Sequence, residues 1–241
     1  MSNYSIITDR KELEKFIDWL PELKDNETFY YCLFARKKYC PDFIKSNDRT
    51  QLKRGTTSKE RFIQKLEQLE LPLGTLKIRD TVAPQESLVL YLNPNPRNTR
   101  KAAHIASMKL QTLVYENAKN YNPITEVMGC IQKTKSYTHV VDFDIDTKDI
   151  DLTLIKDYFI NKINLINGFP MSNAAMLSDV VTVIETRGGY HILIKTSLAN
   201  QVSKTWHQDI SAMYPCDKTG DQLLPVPGTT QGGFPPKIIE L

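Results

Sequence analysis

Three aspartates, Asp142, Asp144 and Asp146, alternate with Val141, Phe143 and Ile145. Alternate residues of a β-strand point to one face, so the carboxylates share one side and the apolar chains the other. Like charges held that close resist joint ionisation. A divalent cation neutralises them. Hard cations such as Mg²⁺ take oxygen ligands, often one or two carboxylates together with substrate phosphates. Such a strand suits a two-metal phosphoryl-transfer site. The plainer alternative is a strand end running into the solvated acidic turn Asp146-Thr147-Lys148-Asp149.

A second chemical element follows downstream. Residues 180–186 and 190–195 read as two strands joined by Arg187-Gly188-Gly189, whose glycines can turn with positive φ. Alternation puts His191, Leu193 and Lys195 on one face, and Tyr190, Ile192 and Ile194 on the other. With the latter packed on helices, His191 and Lys195 emerge on the open face of the sheet beside the aspartates. Metals held by carboxylates would take phosphate oxygens from one side of a nucleoside triphosphate. His191 and Lys195 would donate from the other side. Gly188 and Gly189 would let the backbone approach the phosphates. Taken singly, His191 also fits a satisfied histidine at a strand start, and Lys195 a surface lysine.

The elements that must position these groups are those of an ordinary globular chain. With 241 residues, 41% hydrophobic and 24% charged, it can bury the core of one large domain or of two fused lobes. A net charge of +3 permits a nucleic-acid partner without requiring one. The start Met1-Ser2-Asn3-Tyr4-Ser5 has no signal-peptide pattern and no apolar run reaches spanning length, so no membrane association is expected. Cys32, Cys40, Cys130 and Cys216 are scattered without a CxxC pair, which predicts reduced thiols in a cytoplasmic protein rather than a zinc site.

Apolar spacing predicts a helix over 9–20, ended by Pro21, and a strand over 28–35 that runs into Arg36-Lys37-Lys38. A polar stretch, 46–58, carries Lys53 and Arg54. Thr57-x-x-Glu60 is a capping box that opens a helix to about Glu70. A strand over 87–92 meets Asn93-Pro94-Asn95-Pro96-Arg97-Asn98, where two prolines forbid regular structure. A helix over 99–120 carries Arg100 and Lys101. Together these make an N-terminal α/β lobe, residues 1–136, with 121–135 as a joint. Its cations Arg36, Lys37, Lys38, Arg97, Arg100 and Lys101 follow strand ends, where open α/β sheets bind ligands; solvated loop charges are the alternative. From residue 137 the order is strand, helix (152–166), strand, strand, helix (197–213) and a short extended piece, Leu223–Val226. That is the β-α-β-β-α-β plan of a ferredoxin-like or RNA-recognition-like sheet with helices on one face. The fold class expected is α+β in two lobes, 1–136 and 137–241.

As a set, these motifs resemble the archaeo-eukaryotic primase superfamily, and more narrowly the small primase-polymerases of phages and plasmids. Asp142-Phe143-Asp144 or Asp144-Ile145-Asp146 fits the family's DxD motif. Gly189-Tyr190-His191 fits its small-residue-x-His motif, with Gly where the family often has Ser. Its third acidic residue fits Asp221, with Asp217 as rival, ahead of a Pro227-Gly228-Thr229 loop like that of phage and plasmid members. Leu92-Asn93-Pro94-Asn95-Pro96-Arg97 looks like the Asn-Pro-Arg segment some members carry. The likeness rests on motifs over residues 137–233. Over the first 136 it rests on lobe order and that one segment.

The resemblance implies a primase or DNA polymerase that transfers nucleotides on a single-stranded DNA template and primer, in a site between an α/β lobe and an RRM-like lobe. Two Mg²⁺ or Mn²⁺ ions would sit on Asp142, Asp144 and Asp221, with Asp146 as an alternate ligand. NTP or dNTP would be held by His191, Lys195, Arg187 and Gly189. Arg97, Arg100, Lys101, Arg36, Lys37 and Lys38 would contact the nucleic-acid backbone. A replicative helicase or other replication proteins would be partners, and the gene would belong to a phage or plasmid acting in the host cytoplasm. Two competing functions stay open at this point: a metal-dependent nuclease, against which the absence of a D…ExK spacing counts, and a non-catalytic primase-like DNA-binding subunit.

Overall fold

The computed structural model describes residues 2–42, 49–167, 177, 179–219 and 221–241. The first half of the chain runs α1 (Arg10–Trp19), β1 (Glu27–Arg36), β2 (Arg49–Thr57), α2 (Phe62–Glu67), β3 (Lys77–Ile78), β4 (Thr81–Val82), β5 (Leu88–Leu92), β6 (Arg97–Asn98), α3 (Thr99–Tyr115) and α4 (Pro123–Lys133). The second runs β7 (Val140–Ile145), α5 (Thr153–Asn167), β8 (Val181–Glu185), β9 (Tyr190–Lys195), α6 (Thr196–Val202), α7 (Trp206–Met213), β10 (Asp217–Thr219), β11 (Leu224–Pro225) and β12 (Lys237–Ile239). The class is α+β: both main sheets are built wholly from antiparallel pairs.

The first sheet has the order β11-β5-β1-β2, with β6 paired to the start of β1. The helix α1 forms where Leu13, Phe16 and Ile17 fall on one buried face and the Asp9 side chain accepts the Glu12 N–H. Two elements depart from expectation. The polar stretch, assigned no element from sequence, forms a strand, β2, over 49–57; its residues 46–48 lie outside the described residues. Its polar composition follows from its place at the sheet edge, where among the described residues β1 is its only main-sheet neighbour. The helix after it starts at Phe62 rather than at Thr57. The joint expected over 121–135 is mostly α4, opened by Asn122, whose side chain accepts the Thr125 N–H, with Pro123 at the first position.

The second sheet has the order β10-β7-β9-β8-β12. One face carries Phe143, Ile145, Val183, Ile192 and Ile194 onto Ile155, Phe159 and Ile163 of α5, Ala199 of α6, and Trp206 and Ile210 of α7. The helix expected over 197–213 is two helices, broken at residues 203–205. The opposite face was expected to be open. Instead Leu193 and Ile184 on it are fully buried in the first sheet's core with Phe16, Leu90 and Leu92. Two aliphatic side chains in mid-sheet would each leave about 1.5–3 kcal/mol unrealised if left in water.

The closing strand of this sheet is β10, not the expected Leu223–Val226 piece. Leu224 and Pro225 instead form β11 and pair with Leu92 and Tyr91 of β5 in the first sheet. Sheet membership therefore does not follow a division at residue 136, because the chain returns to the first sheet near its end.

Candidate active site

The register of the second sheet lines up its polar side chains. Asp144 sits opposite His191 on β9 and opposite Asp217 on β10, while Ile184 on β8 faces His191. Directly opposed residues of antiparallel strands share a face. The row Asp217, Asp144, His191, Ile184 thus crosses four strands on the side turned toward the first sheet. The next row holds Asp142 opposite Leu193.

Where this face is not sealed, a cavity of about 220 Å³ remains between the sheets. Asp144, Asp146, Asp217 and His191 line it from the second sheet, and Arg36, Lys38 and Tyr91 from the first. Gln222 closes one side and donates from Nε2 to Asp144 Oδ2 at 2.7 Å. Arg36, at the end of β1, donates to the Tyr91 hydroxyl. A larger cavity of about 400 Å³ lies by α1 and β12, but its described lining holds a single acidic side chain, Glu240. Clustered carboxylates, a histidine and cations make the smaller space the chemical one.

Asp142 and Asp144 are neighbours on one face with different surroundings. Asp142 is 3% exposed, and both its oxygens stand at 2.9 and 3.0 Å from His191 Nδ1. A carboxylate accepts, so Nδ1 carries a proton, and His191 Nε2 is left 3.5 Å from Asp144 Oδ1. Burial by itself would lower the His191 pKa, but the Asp142, Asp144 and Asp146 carboxylates together outweigh it, Asp142 foremost, and the imidazole is raised above its ordinary value. Burial raises the Asp144 carboxyl; Asp142 and Asp146 push the same way, against His191 and Gln222.

The remaining expected site residues divide by place. Arg36 and Lys38 line the cavity, while Lys37 is exposed and outside its lining. Lys195 sits opposite Val140, four residues along β9 from His191, or about 13 Å at strand rise. It does not reach the cavity. Arg187 stacks over the Tyr39 ring at 4.5 Å and donates to the Gly232 carbonyl, which ties it to the C-terminal loop. Gly189 gives its N–H to Thr186 Oγ1, and a Cβ there would come 1.8 Å from the Ile145 carbonyl oxygen. Gly189 is therefore needed for close strand packing rather than for a phosphate; Gly188 is the glycine in the lining. Neither takes a positive φ. Arg100 and Lys101 are exposed on the first turn of α3.

Asp221 and Arg97, expected as a metal ligand and a nucleic-acid contact, are bound to each other. Arg97 is fully buried and donates through Nη1 and Nη2 to the two Asp221 oxygens, at 2.8 and 2.5 Å. A buried guanidinium requires such a paired carboxylate, which commits the Arg97 fork and engages both Asp221 oxygens. The acidic residue beside Asp144 is Asp217. In sequence it is one of two acidic residues ahead of the Pro227-Gly228-Thr229 loop, and nothing local separates it from Asp221. Gln222 carries no sequence signal at all.

Among the described residues no three His, Cys, Asp or Glu side chains converge into a preformed cation cage. A Mg²⁺ or Mn²⁺ ion completed by substrate phosphates does not need one. Asp144 and Asp217 are cross-strand neighbours offering hard oxygen donors, with Asp146 in the same lining, and the raised Asp144 carboxyl is what a cation would relieve. The donor set fits. No protein-family model, curated protein or solved structure matches the chain.

Proposed function

We propose that the protein is a nucleotidyltransferase of the primase-polymerase type, adding nucleotides to a primer on a DNA template. The observation that carries this reading is one polar cavity with aspartates on one wall and Arg36 and Lys38 on the other. A metal-bound triphosphate presents cations to the first wall and phosphate oxygens to the second. The strand order β10-β7-β9-β8, with helices on one face, supports the RRM-like plan within a two-lobed core.

Asp144 and Asp217 would hold divalent cations, with Asp146 as the third carboxylate. When bound, such ions activate an attacking 3′-hydroxyl and stabilise the departing pyrophosphate. Asp142 orients His191 through Nδ1 and, against the effect of burial, raises its pKa; in the imidazolium form this favours, Nε2–H donates to a phosphate oxygen. Arg36, held by Tyr91, and Lys38 neutralise phosphate charge from the first sheet. Gln222 fixes the Asp144 carboxylate. Arg100 and Lys101, exposed at the start of α3, serve the template backbone.

Incubation with Mn²⁺, primed single-stranded DNA and labelled nucleotides tests this. Wild-type protein extends the primer, and Asp144→Ala and Asp217→Ala do not while keeping their circular dichroism. Strand degradation without extension would establish a nuclease instead, and tight Mn²⁺-nucleotide binding without turnover a non-catalytic subunit.

A further inference from the structure

A set of polar contacts outside the cavity converges on five residues, Asn93-Pro94-Asn95-Pro96-Arg97, between β5 and β6. All five are buried. Asn95, 1% exposed, grips the start of β7: its Oδ1 accepts the His139 and Val140 N–H groups at 2.7 and 2.9 Å, and its Nδ2 donates to the Val140 carbonyl at 3.1 Å. Asn93 donates through Nδ2 to the Gln222 carbonyl at 3.1 Å, and its own N–H to the Tyr30 carbonyl at 2.9 Å. Arg97 holds the Asp221 carboxylate with both terminal nitrogens. The Pro96 carbonyl accepts the Ser136 N–H at 2.8 Å. The two prolines have fixed φ and no N–H of their own, so the segment is stiff.

Both ends of this set lead to one carboxylate. Through Asn95 it fixes the entry of β7, the strand that carries Asp144. Through Asn93 and Arg97 it fixes Asp221 and Gln222, and Gln222 is the residue that hydrogen-bonds Asp144. We propose that Asn95 and Arg97 are positioning residues that set the Asp144 carboxylate from both sides, and that Arg97 makes no nucleic-acid contact. This rests on the reading of the cavity as a nucleotidyl-transfer site. Outer partners of this kind typically control activity by about 10–100-fold. The planar fork of Arg97 is what lysine cannot reproduce.

The test uses the full chain carrying Arg97→Lys, Asp221→Asn, the double variant, Gln222→Ala and Asn95→Ala. Arg97→Lys and Asp221→Asn should each lower kcat for nucleotide addition about tenfold or more. The nucleotide KM and the single-stranded DNA Kd should move less than about twofold. The double variant should be no worse than either alone, because the pair acts as a unit. A DNA Kd that weakens together with a salt slope reduced by about one would make Arg97 a phosphate contact and overturn the proposal. An unchanged kcat would overturn it as well. If Arg97→Lys does not fold, Gln222→Ala decides: its side chain reaches the cavity, and its kcat should fall with the melting temperature unchanged. If wild-type protein adds no nucleotide at all, the functional reading fails on its own. Hydrogen exchange then judges the clamp separately: Asn95→Ala should speed exchange of the His139 and Val140 amides, and unchanged exchange would reject it.

Discussion

Two stretches of one sheet face meet the first half of the protein in opposite ways. At Leu193 and Ile184 the contact is apolar and fully buried, continuous with the core around Phe16 and Leu90. Two residues along β9, at His191, it turns polar and opens into the cavity that Asp144 and Asp217 line. The same strands supply both stretches: one strand repeat along β9 separates Leu193 from His191, and Ile184 lies one strand across from His191. The seal fixes the distance between the sheets. The open stretch sets Arg36 and Asp144 in the lining of one cavity.

Breaking the seal should have the largest effect on the fold. Leu193→Ala is expected to cost about 2–5 kcal/mol in a denaturant melt, from lost burial plus the cavity left behind. In the open stretch the largest effect falls on activity. Asp144→Ala should reduce nucleotide incorporation by more than about a hundredfold, beyond the range typical of outer-shell partners, with the melt unchanged. A comparable loss of stability in that variant would mean that the two stretches are not separable.

Asp142→Asn sharpens the comparison through pH. His191 has a raised folded pKa, so its contribution to stability is fully present below the ordinary histidine value and is lost as pH rises through the raised one. Removing the Asp142 charge should lower the His191 pKa in an NMR titration and flatten that loss. His139, at the other end of β7, runs the opposite way. Burial and then Lys195 lower it from 6.5 to about 4, so stability falls as pH drops between those values. The Asp142→Asn variant should leave that acid limb in place. Lys38→Ala should do least: a rise of a few-fold in nucleotide KM, the scale of one exposed charge contact, read from steady-state kinetics.

Much of the second sheet was legible because period-two alternation is a local signal. Asp142 to Ile145, and Tyr190 to Lys195, show both their faces in sequence. What alternation does not give is which partner each residue meets. Asp142 and Asp144 look equivalent on the strand, yet cross-strand register puts Asp142 opposite Leu193 in the buried row and Asp144 opposite His191 at the cavity. Arg97 reads as a loop cation after two prolines. Its burial against Asp221 depends on a contact that closes over more than a hundred residues. The strand Asp217–Thr219 is three residues long, too short for any pattern, and β2 is polar because it is an edge. Each of these is fixed by tertiary pairing rather than by local propensity.

The central claim is that Asp144 and Asp217, rather than Asp142 and Asp221, hold the cations of nucleotide transfer. Crystals soaked with Mn²⁺ and a non-hydrolysable nucleoside triphosphate test it most directly through anomalous difference density. The account predicts manganese held at Asp144 and Asp217, with the phosphates toward His191 and Arg36 and the Arg97–Asp221 pair undisturbed. Manganese on Asp142 or Asp221, or a nucleotide bound away from this cavity, would contradict it.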